Sequence, residues 1–307
     1  MREIKNVAVL GAGAVGAFFA TRFFETEGFS SAVIARGERY ERLKKEGLTV
    51  NGIHYDVPVV HPDRATEPAD LIIVALKHHH LAEAVHDLKN VVGDDTTIIS
   101  VMNGLVSEEI IGSIYGMDKM LYCITVGIEA LRVGNEVRCT PPGKHTFGEA
   151  KNTPPSEKVK RVQRAFERAK ITYETPEDMM RVMWWKFMIN VGMNQSSAVM
   201  RAPYGVYHAS PDARSLMRSL MMEVVQLSKV AAVNLGEEDI DKWERILGKF
   251  VPTGKTSMLQ DIEAGRKTEV EIFGGTVVDM GKKYAIPTPV NQALVHAITV
   301  LEQYSSR

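Results

Sequence analysis

A polar stripe within an apolar segment carries the strongest chemical signal in this sequence. Lys186, Asn190 and Asn194 recur at four-residue steps within the apolar run 182–194. In an α-helix of 3.6 residues per turn, such steps keep three side chains on one face. Burial lowers the pKa of a lysine toward the range in which it exchanges protons near neutral pH. The stripe therefore predicts a proton donor beside two amides that hold ligand oxygens, or else a structural hydrogen-bond network or an exposed stripe.

A second polar group follows later in the chain. Thr256-Ser257 resembles a helix cap and leads into a polar-rich helix, with Glu269 beyond it. Ser257 could donate a hydrogen bond to a ligand carboxylate, and Glu269 could pair with Lys186 or hold a hydroxyl. Residues of these types are more often at the surface, so spacing alone leaves both interpretations open.

The chain begins with a glycine-rich motif between a strand-like run and a helix-like run. The motif has the form G-x-G-x-x-G and consists of Gly11, Ala12, Gly13, Ala14, Val15 and Gly16. In a βαβ unit its glycines allow a tight turn, close approach of a pyrophosphate to the backbone, and close packing of helix on strand. We therefore predict a dinucleotide site, with a purely structural glycine turn as the alternative.

The residue that ends the second predicted strand bears on cofactor choice. NAD-binding domains of this kind usually have Asp or Glu there, whereas this chain has Arg36. A guanidinium cannot accept hydrogen bonds from ribose hydroxyls but can bind a 2′-phosphate through two parallel bonds. Arg36 therefore favours NADP over NAD, unless it is only a solvated loop residue.

Further polar residues follow two other predicted strands. Lys77 comes after residues 71–76, and Asn103 after 97–102. Ligands of open α/β sheets bind beyond the carboxyl ends of the strands, so both side chains could reach a cofactor, although ordinary loop polarity explains them equally well. The neighbouring residues His78, His79 and His80 cannot all face one ion, so we predict a solvated loop or helix start and no metal site.

The order of these segments predicts the architecture. Strand-like runs at 7–10, 31–35, 71–76 and 97–102 alternate with helix-like segments and are continuously apolar, as in a parallel sheet covered on both faces. A hairpin over 121–148 with a turn at Gly134-Asn135, a helix over 156–170 and an edge strand over 171–175 follow. Beyond Pro176 the pattern is helical. We predict a Rossmann-type doubly wound domain over 1–176 and an all-helical domain over 177–307.

Composition excludes several classes of protein. The 307 residues carry 37 Lys and Arg against 38 Asp and Glu, without the basic excess of a nucleic-acid binder. The longest apolar runs are of strand length, far below the ~20 residues that span a bilayer. Cys123 and Cys139 form no C-x-x-C pair, which favours a reducing compartment. We expect a cytoplasmic protein that binds neither nucleic acid nor membrane.

Several of these motifs together resemble the ketopantoate reductase family, 2-dehydropantoate 2-reductase. The similarity extends over essentially the whole chain. It is carried by the glycine motif, Leu76-Lys77, Met102-Asn103-Gly104, the Trp185-Lys186 helix with Asn190 and Asn194, Ser257-Met258-Leu259-Gln260-Asp261 and Thr268-Glu269. The resemblance implies reduction of 2-dehydropantoate to (R)-pantoate with NADPH, on the route to pantothenate and coenzyme A.

The resemblance also implies roles for single residues. Lys186 would donate the proton, and the substrate would lie at Asn103, Asn190, Asn194 and Ser257. Glu269 would act near both cofactor and substrate. Lys77, Asn103 and the backbone of Ala130 would contact the cofactor. The implied partner is a small 2-oxo acid; a homodimer is compatible with the resemblance, and the sequence does not determine the oligomeric state.

One departure from the family pattern concerns the loop after the catalytic helix. Some members have Asn before Gly there, whereas this chain has Tyr204-Gly205. One substrate contact is therefore missing or replaced. Two alternatives stay open: a homologous NADPH-dependent reductase of another small 2-oxo acid, and a non-catalytic NADP-binding redox sensor.

Overall fold

The computed structural model describes residues 2–133 and 136–305, except for the side chains of 128–133, 141, 142 and 305. The chain divides into two compact units, Met1–Met180 and Arg181–Arg307. The first unit is built on a sheet and the second on helices, which confirms the predicted fold class. The predicted assignment of a cofactor domain to 1–176 and a substrate domain to 177–307 stays a prediction.

The strands of the first unit pair in one sheet in the order β4-β3-β9-β8-β7-β6-β1-β2-β5, with β10 beside β9. They are β1 Asn6–Leu10, β2 Ser30–Ile34, β3 Leu48–Val50, β4 Ile53–Tyr55, β5 Val59–Val60, β6 Leu71–Val74, β7 Thr97–Ser100, β8 Met120–Val133, β9 Glu136–Gly148 and β10 Tyr173–Glu174. Pairing is parallel from β5 through β2, β1, β6 and β7 to β8, and antiparallel between β8 and β9. The predicted β6 and β7 each end two residues earlier than expected. The predicted turn Gly134-Asn135 lies outside the described residues.

The helices are α1 Ala14–Phe24, α2 Gly37–Glu46, α3 Leu81–Ala84, α4 Ser107–Tyr115, α5 Glu157–Arg168, α6 Met179–Ile189, α7 Gln195–Met200, α8 Tyr204–Ala209, α9 Pro211–Val230, α10 Glu237–Leu247, α11 Ser257–Glu263, α12 Gly274–Tyr284 and α13 Pro289–Ser305. The predicted cap of α5 is confirmed, because the Ser156 hydroxyl accepts a hydrogen bond from the backbone of Val159 at 3.3 Å. Within residues 2–133 and 136–305, no helix is both long and apolar enough to cross a bilayer.

The apolar strands of the sheet serve two hydrophobic cores. Successive side chains of a strand point to opposite faces. Val7 and Val9 accordingly join the core that contains the α1 phenylalanines, whereas Ala8 and Leu10 join the core that contains Leu81 of α3. Both faces of β1 are thus covered. This explains why the strand is continuously apolar and does not alternate.

A buried carboxylate fastens the start of the sheet. Asp70 is 3% exposed and accepts hydrogen bonds from the backbone N–H groups of Lys5 and Asn6, both at 2.9 Å, and from Nε of Arg2 at 2.8 Å. The fully buried Arg161 places Nη2 3.6 Å from the same carboxylate. Burial alone raises the pKa of Asp70, but the hydrogen bonds from Asn6, Lys5 and Arg2 bring it below its ordinary value. The folded state therefore stabilises the charged form of the Asp70 carboxylate.

We expect Asp70→Asn to lower the free energy of unfolding of the first unit by about 3 kcal/mol. The substitution removes the charge that three donors share and leaves Arg161 without its nearest anion. Because the pKa of Asp70 is lower in the folded than in the unfolded state, its contribution is complete above pH ~4 and is lost as pH falls through the folded pKa. Thermal unfolding between pH 3 and 7 measures both effects.

Asp56→Asn is the matched control, since the Asp56 side chain is 89% exposed in the same unit. It should leave the melting temperature within about 1 °C of the wild type, as surface substitutions usually do. Equal melting temperatures for Asp70→Asn and Asp56→Asn would contradict the role assigned to Asp70.

Candidate functional site

The glycine motif of the first unit forms a tight connection between β1 and α1. Gly11 has φ +100°, and a Cβ there would lie 2.4 Å from the carbonyl oxygen of Ala75. A Cβ on Gly16 would lie 1.8 Å from the carbonyl oxygen of Gly11. These two glycines are therefore required by the fold itself, because they allow the loops after β1 and β6 and the start of α1 to pack together.

Gly13 differs from the other two glycines of the motif. Its φ of −68° suits any residue, and the nearest heavy atom to a Cβ there would be 4.0 Å away. It precedes the first turn of α1, which has no side-chain cap and no acidic residue. Exposed backbone N–H groups at a helix N-terminus bind phosphate. Since packing does not require glycine at this position, the space left there fits the close approach of a pyrophosphate.

Arg36 lies at the N-cap of α2, where the second strand has ended. Its Nε donates to Oδ1 of Asp87 at 2.7 Å, its Nη2 lies 2.5 Å from the same oxygen, and Asp63 is 3.8 Å away. The hydrogen bond to Asp87 raises the pKa of Arg36. The side chain is 51% exposed. A 2′-phosphate could bind the outer edge of the guanidinium, next to two carboxylates that the sequence pattern did not reveal.

Lys77 and Asn103 lie beyond the ends of β6 and β7. Lys77 is exposed at the start of a 3₁₀ turn formed by His78–His80, and Asn103 is half-buried before Gly104, which has φ +93°. Since β6 and β7 are neighbours in parallel pairing, the two loops emerge at the same edge of the sheet. Among the side chains that the structure describes, no three His, Cys, Asp or Glu residues group as metal ligands.

A buried chain of hydrogen bonds supports the loop that carries Asn103. Ser100 lies 2.8 Å from Ser107, hydroxyl to hydroxyl, and Ser107 donates to Oε2 of Glu108 at 2.8 Å. The backbone N–H of Met102 donates to the Ser100 hydroxyl at 3.4 Å. Burial raises the pKa of Glu108 to about 7. Ala130, the remaining predicted cofactor contact, pairs with Cys139 in the β8–β9 ladder, and its side chain lies outside the described part of the structure.

In the second unit, Lys186 on α6 has an altered acidity. Its side chain is half-buried, and burial lowers its pKa to about 8 while the charge of Glu269 acts in the opposite direction. Glu269 is 8% exposed and precedes the 3₁₀ turn Val270–Ile272. The charge of Glu269, far from Lys186 in sequence, thus acts on the Lys186 ammonium, and the roles of both residues stay predictions. A lysine with this pKa is mostly protonated at pH 7 yet can release its proton.

The predicted regular helix over 182–194 is wrong in its last part. α6 ends at Ile189, and Asn190–Asn194 form a π-helical turn. A four-residue step overshoots one full turn of an α-helix, and the wider π turn rotates less per residue and so offsets the overshoot. The polar stripe therefore persists: the Asn194 amide donates to Oδ1 of Asn190 at 3.4 Å. π turns occur frequently at functional sites.

The two asparagines differ in how they are engaged. Oδ1 of Asn194 accepts hydrogen bonds from the Ser257 hydroxyl at 3.2 Å and from the backbone of Met258 at 3.3 Å. Asn194 and Ser257 thus hold each other, as in the structural-network interpretation. Asn190 is 6% exposed, and no acceptor in the described part of the chain faces its Nδ2. Asn190 therefore keeps a donor for a ligand.

Tyr204 supports the loop that leads into α11. Its backbone N–H donates to the Gly254 carbonyl at 2.9 Å, and its hydroxyl donates to the Lys255 carbonyl at 3.4 Å. A Cβ on Gly254 would lie 2.8 Å from the Tyr204 ring, so ring and loop are in close contact. Its ring also packs edge-on against Phe250. The Tyr204 ring is thus packed on the loop residues Gly254 and Lys255, which directly precede Thr256-Ser257.

Both units resemble one family of known proteins. Residues 7–152 match the family described as ketopantoate reductase PanE/ApbA, and residues 178–302 match the C-terminal part of that family. A 2-dehydropantoate 2-reductase from Aquifex aeolicus is 26% identical over 98% of each chain.

Solved structures show the same fold. A PanE/ApbA family ketopantoate reductase from Ralstonia eutropha superposes with a TM-score of 0.84 at 22% identity, covering 98% of this chain and 100% of the other. D-mandelate dehydrogenase in complex with NADH and anilino(oxo)acetate superposes with a TM-score of 0.86 at 21% identity and the same coverage.

The geometry of the glycine motif gives a test that separates folding from binding. We expect Gly16→Ala to destabilise the protein by about 2 kcal/mol or more, because the added Cβ meets a backbone oxygen that cannot move freely. Gly13→Ala should leave the melting temperature nearly unchanged and should weaken binding of NADPH, measured by quenching of protein fluorescence. Unchanged NADPH binding by Gly13→Ala would contradict the pyrophosphate site at α1.

Proposed function

The chain belongs to the ketopantoate reductase PanE/ApbA family, and from this premise we propose that it reduces 2-dehydropantoate to (R)-pantoate with NADPH. The reaction would supply pantoate for pantothenate and coenzyme A synthesis. The proposal assigns the cofactor to residues 1–176 and the substrate to residues 177–307.

The observation that carries the proposal is the acidity of Lys186. Reduction of a ketone places charge on the carbonyl oxygen, and a proton must reach that oxygen. Lys186 has its pKa lowered by burial to about 8 and supported by Glu269. This value keeps the ammonium protonated at neutral pH while making it a better acid than an exposed lysine. Lys186 is thus a stronger acid than an exposed lysine and is suited to donate a proton to an alkoxide, without a metal.

The first unit supplies the groups that would hold the nucleotide. NADPH, when bound, supplies the hydride for the ketone carbon. The helix N-terminus after Gly13 would hold the pyrophosphate, and Arg36 would neutralise the 2′-phosphate. Lys77, Asn103 and the backbone of Ala130 would complete the contacts with the cofactor. The glycine motif would contribute Ala12, Ala14 and Val15 alongside its three glycines.

The second unit supplies the groups that would hold the 2-oxo acid. Asn190 offers the donor of its amide, while Asn194 and Ser257 hold one another and keep that stripe in place. The Ser257 hydroxyl donates to Asn194, so its oxygen is available as an acceptor for a substrate hydroxyl. Glu269 would sustain the charge of Lys186 and orient the substrate hydroxyl.

A second candidate function is the reduction of another small 2-oxo acid. Tyr204 favours it, because an aromatic ring with its hydroxyl bonded to Lys255 takes the place of an amide that some family members use. A ring in that position would suit a 2-oxo acid with a larger apolar side chain. Location in the cytoplasm and assembly as a homodimer stay predictions.

The decisive assay is NADPH oxidation with 2-dehydropantoate beside a panel of 2-oxo acids that includes a phenyl-substituted one. We expect 2-dehydropantoate to give the highest kcat/KM. Lys186→Ala should lower kcat by ~10²–10⁴-fold with little change in NADPH affinity, because general acid catalysis contributes that much. Wild-type kcat/KM should fall as pH rises through about 8, since the donor must be protonated.

Lys282→Ala serves as the matched control, because Lys282 is 71% exposed on α12 of the same unit. It should retain wild-type turnover. Near-normal turnover by a folded Lys186→Ala protein would remove Lys186 from the mechanism. A phenyl-substituted acid as the best substrate would favour the second candidate, and NADPH binding without turnover of any acid would favour a redox sensor.

Cofactor preference depends on Arg36. A charge-assisted contact with the 2′-phosphate is worth roughly 1.5–3 kcal/mol, about tenfold to a hundredfold in Kd. We expect NADPH to bind at least about tenfold more tightly than NADH, and Arg36→Asp to abolish or invert the difference. Arg42→Ala, which removes an exposed arginine six residues further along in α2, should keep the preference. Equal Kd values of the wild type for both cofactors would refute this assignment.

A further inference from the structure

Glu302, in the last turn of α13, binds the segment that carries Glu269. Its Oε1 accepts hydrogen bonds from the backbone N–H of Thr268 at 2.7 Å and from the Thr268 hydroxyl at 2.6 Å. The Thr268 hydroxyl in turn accepts from the backbone N–H of Val270 at 3.2 Å. Thr268 is 2% exposed and Val270 is also 2% exposed. The backbone on both sides of Glu269 is thus held through one carboxylate.

The other end of α13 is tied to the helix that carries the polar stripe. Glu223 on α9 accepts hydrogen bonds from the backbone of Val290 at 2.8 Å and of Asn291 at 3.0 Å, the first turn of α13. Asn291, fully buried, accepts from the amide of Gln195 at 2.8 Å. Gln195 directly follows the π turn that ends at Asn194.

α13 therefore connects two segments that are distant in sequence. Its first turn holds the chain just after the Lys186 stripe, and its last turn holds the chain beside Glu269. Between them, Leu294 and Ile298 are buried in the unit, so the helix is fixed along its length. A helix of 17 residues bonded at both ends is a rigid spacer, because its backbone hydrogen bonds resist bending and stretching.

We propose that Glu302 is a positioning residue that, through Thr268, fixes the carboxylate of Glu269 relative to the ammonium of Lys186. The role of the proton donor rests on the proposed function, whereas the position of Glu269 is a property of the protein alone. Charge-assisted hydrogen bonds to a carboxylate are the strong ones, and two of them end on a single oxygen here.

The other charges of this segment are paired with one another. Lys267 lies 3.0 Å from Glu271, and Arg266 lies 2.8 Å from Asp261. The carboxylate whose charge raises the pKa of Lys186 is that of Glu269. We therefore expect an effect of Glu302 on Lys186 to pass through the position of Glu269.

The test measures the titration of Lys186 in protein without cofactor or substrate. Acetic anhydride reacts with the neutral amine, and mass spectrometry of the Lys186 peptide across pH 6–10 gives the midpoint. An opposite charge within ~4–6 Å shifts a pKa by ~1–3 units. We expect Glu302→Ala to lower the midpoint by about half a unit, because Glu269 then moves away from the ammonium. Glu302→Gln keeps an acceptor oxygen for Thr268, so its midpoint should lie close to the wild-type value.

Further variants identify how the effect of Glu302 reaches Lys186. Glu269→Gln should lower the midpoint more than Glu302→Ala, and the double variant should equal Glu269→Gln, because Glu302 then has no charge left to position. Glu271→Gln removes an exposed charge from the same segment and should leave the midpoint unchanged. If Glu302→Ala does not fold, Thr268→Val replaces it and should also lower the midpoint.

An unchanged midpoint in Glu302→Ala, or in Thr268→Val if that variant is used, would overturn the proposal, as would a further shift in the double variant. A lower melting temperature with an unchanged Lys186 midpoint would assign Glu302 a purely structural role. With 2-dehydropantoate and NADPH, Glu302→Ala should lower kcat by about tenfold or more, since misplaced catalytic groups cost rates of that order. A shifted midpoint in an enzyme that turns over no 2-oxo acid would refute the proposed function and leave this inference standing.

Discussion

The pKa of Lys186 depends on two opposing effects, and the second unit supplies both of them. Burial favours the neutral amine, and the carboxylate of Glu269 favours the charged form, which leaves a pKa of about 8. Either force alone would make the group unsuitable: a fully solvated lysine holds its proton too firmly, and a buried lysine without an anion loses it below neutral pH. The second unit must therefore keep Lys186 partly out of water and hold one carboxylate near it.

The π turn contributes to the same balance. The wider π turn costs helical regularity, yet it keeps Asn190 and Asn194 on the side of Lys186, whereas an unbroken α-helix would carry the stripe gradually away. Gly192 packs closely against α9, because a Cβ there would lie 2.5 Å from the Met221 side chain and 3.1 Å from the carbonyl oxygen of Met217. A backbone irregularity and a glycine that looks unremarkable in sequence thus support the same set of polar side chains.

The two units place their polar groups with different secondary-structure elements. In the first, parallel strands place loops at one edge of the sheet, where backbone N–H groups and Arg36 can meet an anion. In the second, charge and amide groups must lie in partly dry surroundings, and helices provide these because their own backbone groups are already satisfied. Arg36 also depends on a second connection of the first unit, because its partner Asp87 lies in a different crossover connection. A ligand at Arg36 would therefore share the guanidinium with the Asp87 carboxylate.

The sequence by itself determined the features that depend on local order. The continuous apolar strands, the glycine motif, the cap at Ser156 and the helical second half follow from side-chain period and turn chemistry, and the structure bears them out. Only the tertiary structure decided which distant groups pair with one another near the predicted site residues. The pairing of Arg36 with Asp87 and of Glu302 with Thr268 joins residues 51 and 34 positions apart, and no local pattern encodes such contacts. The π turn also escaped prediction, because π turns are rare and the four-residue spacing of the stripe already fits an α-helix.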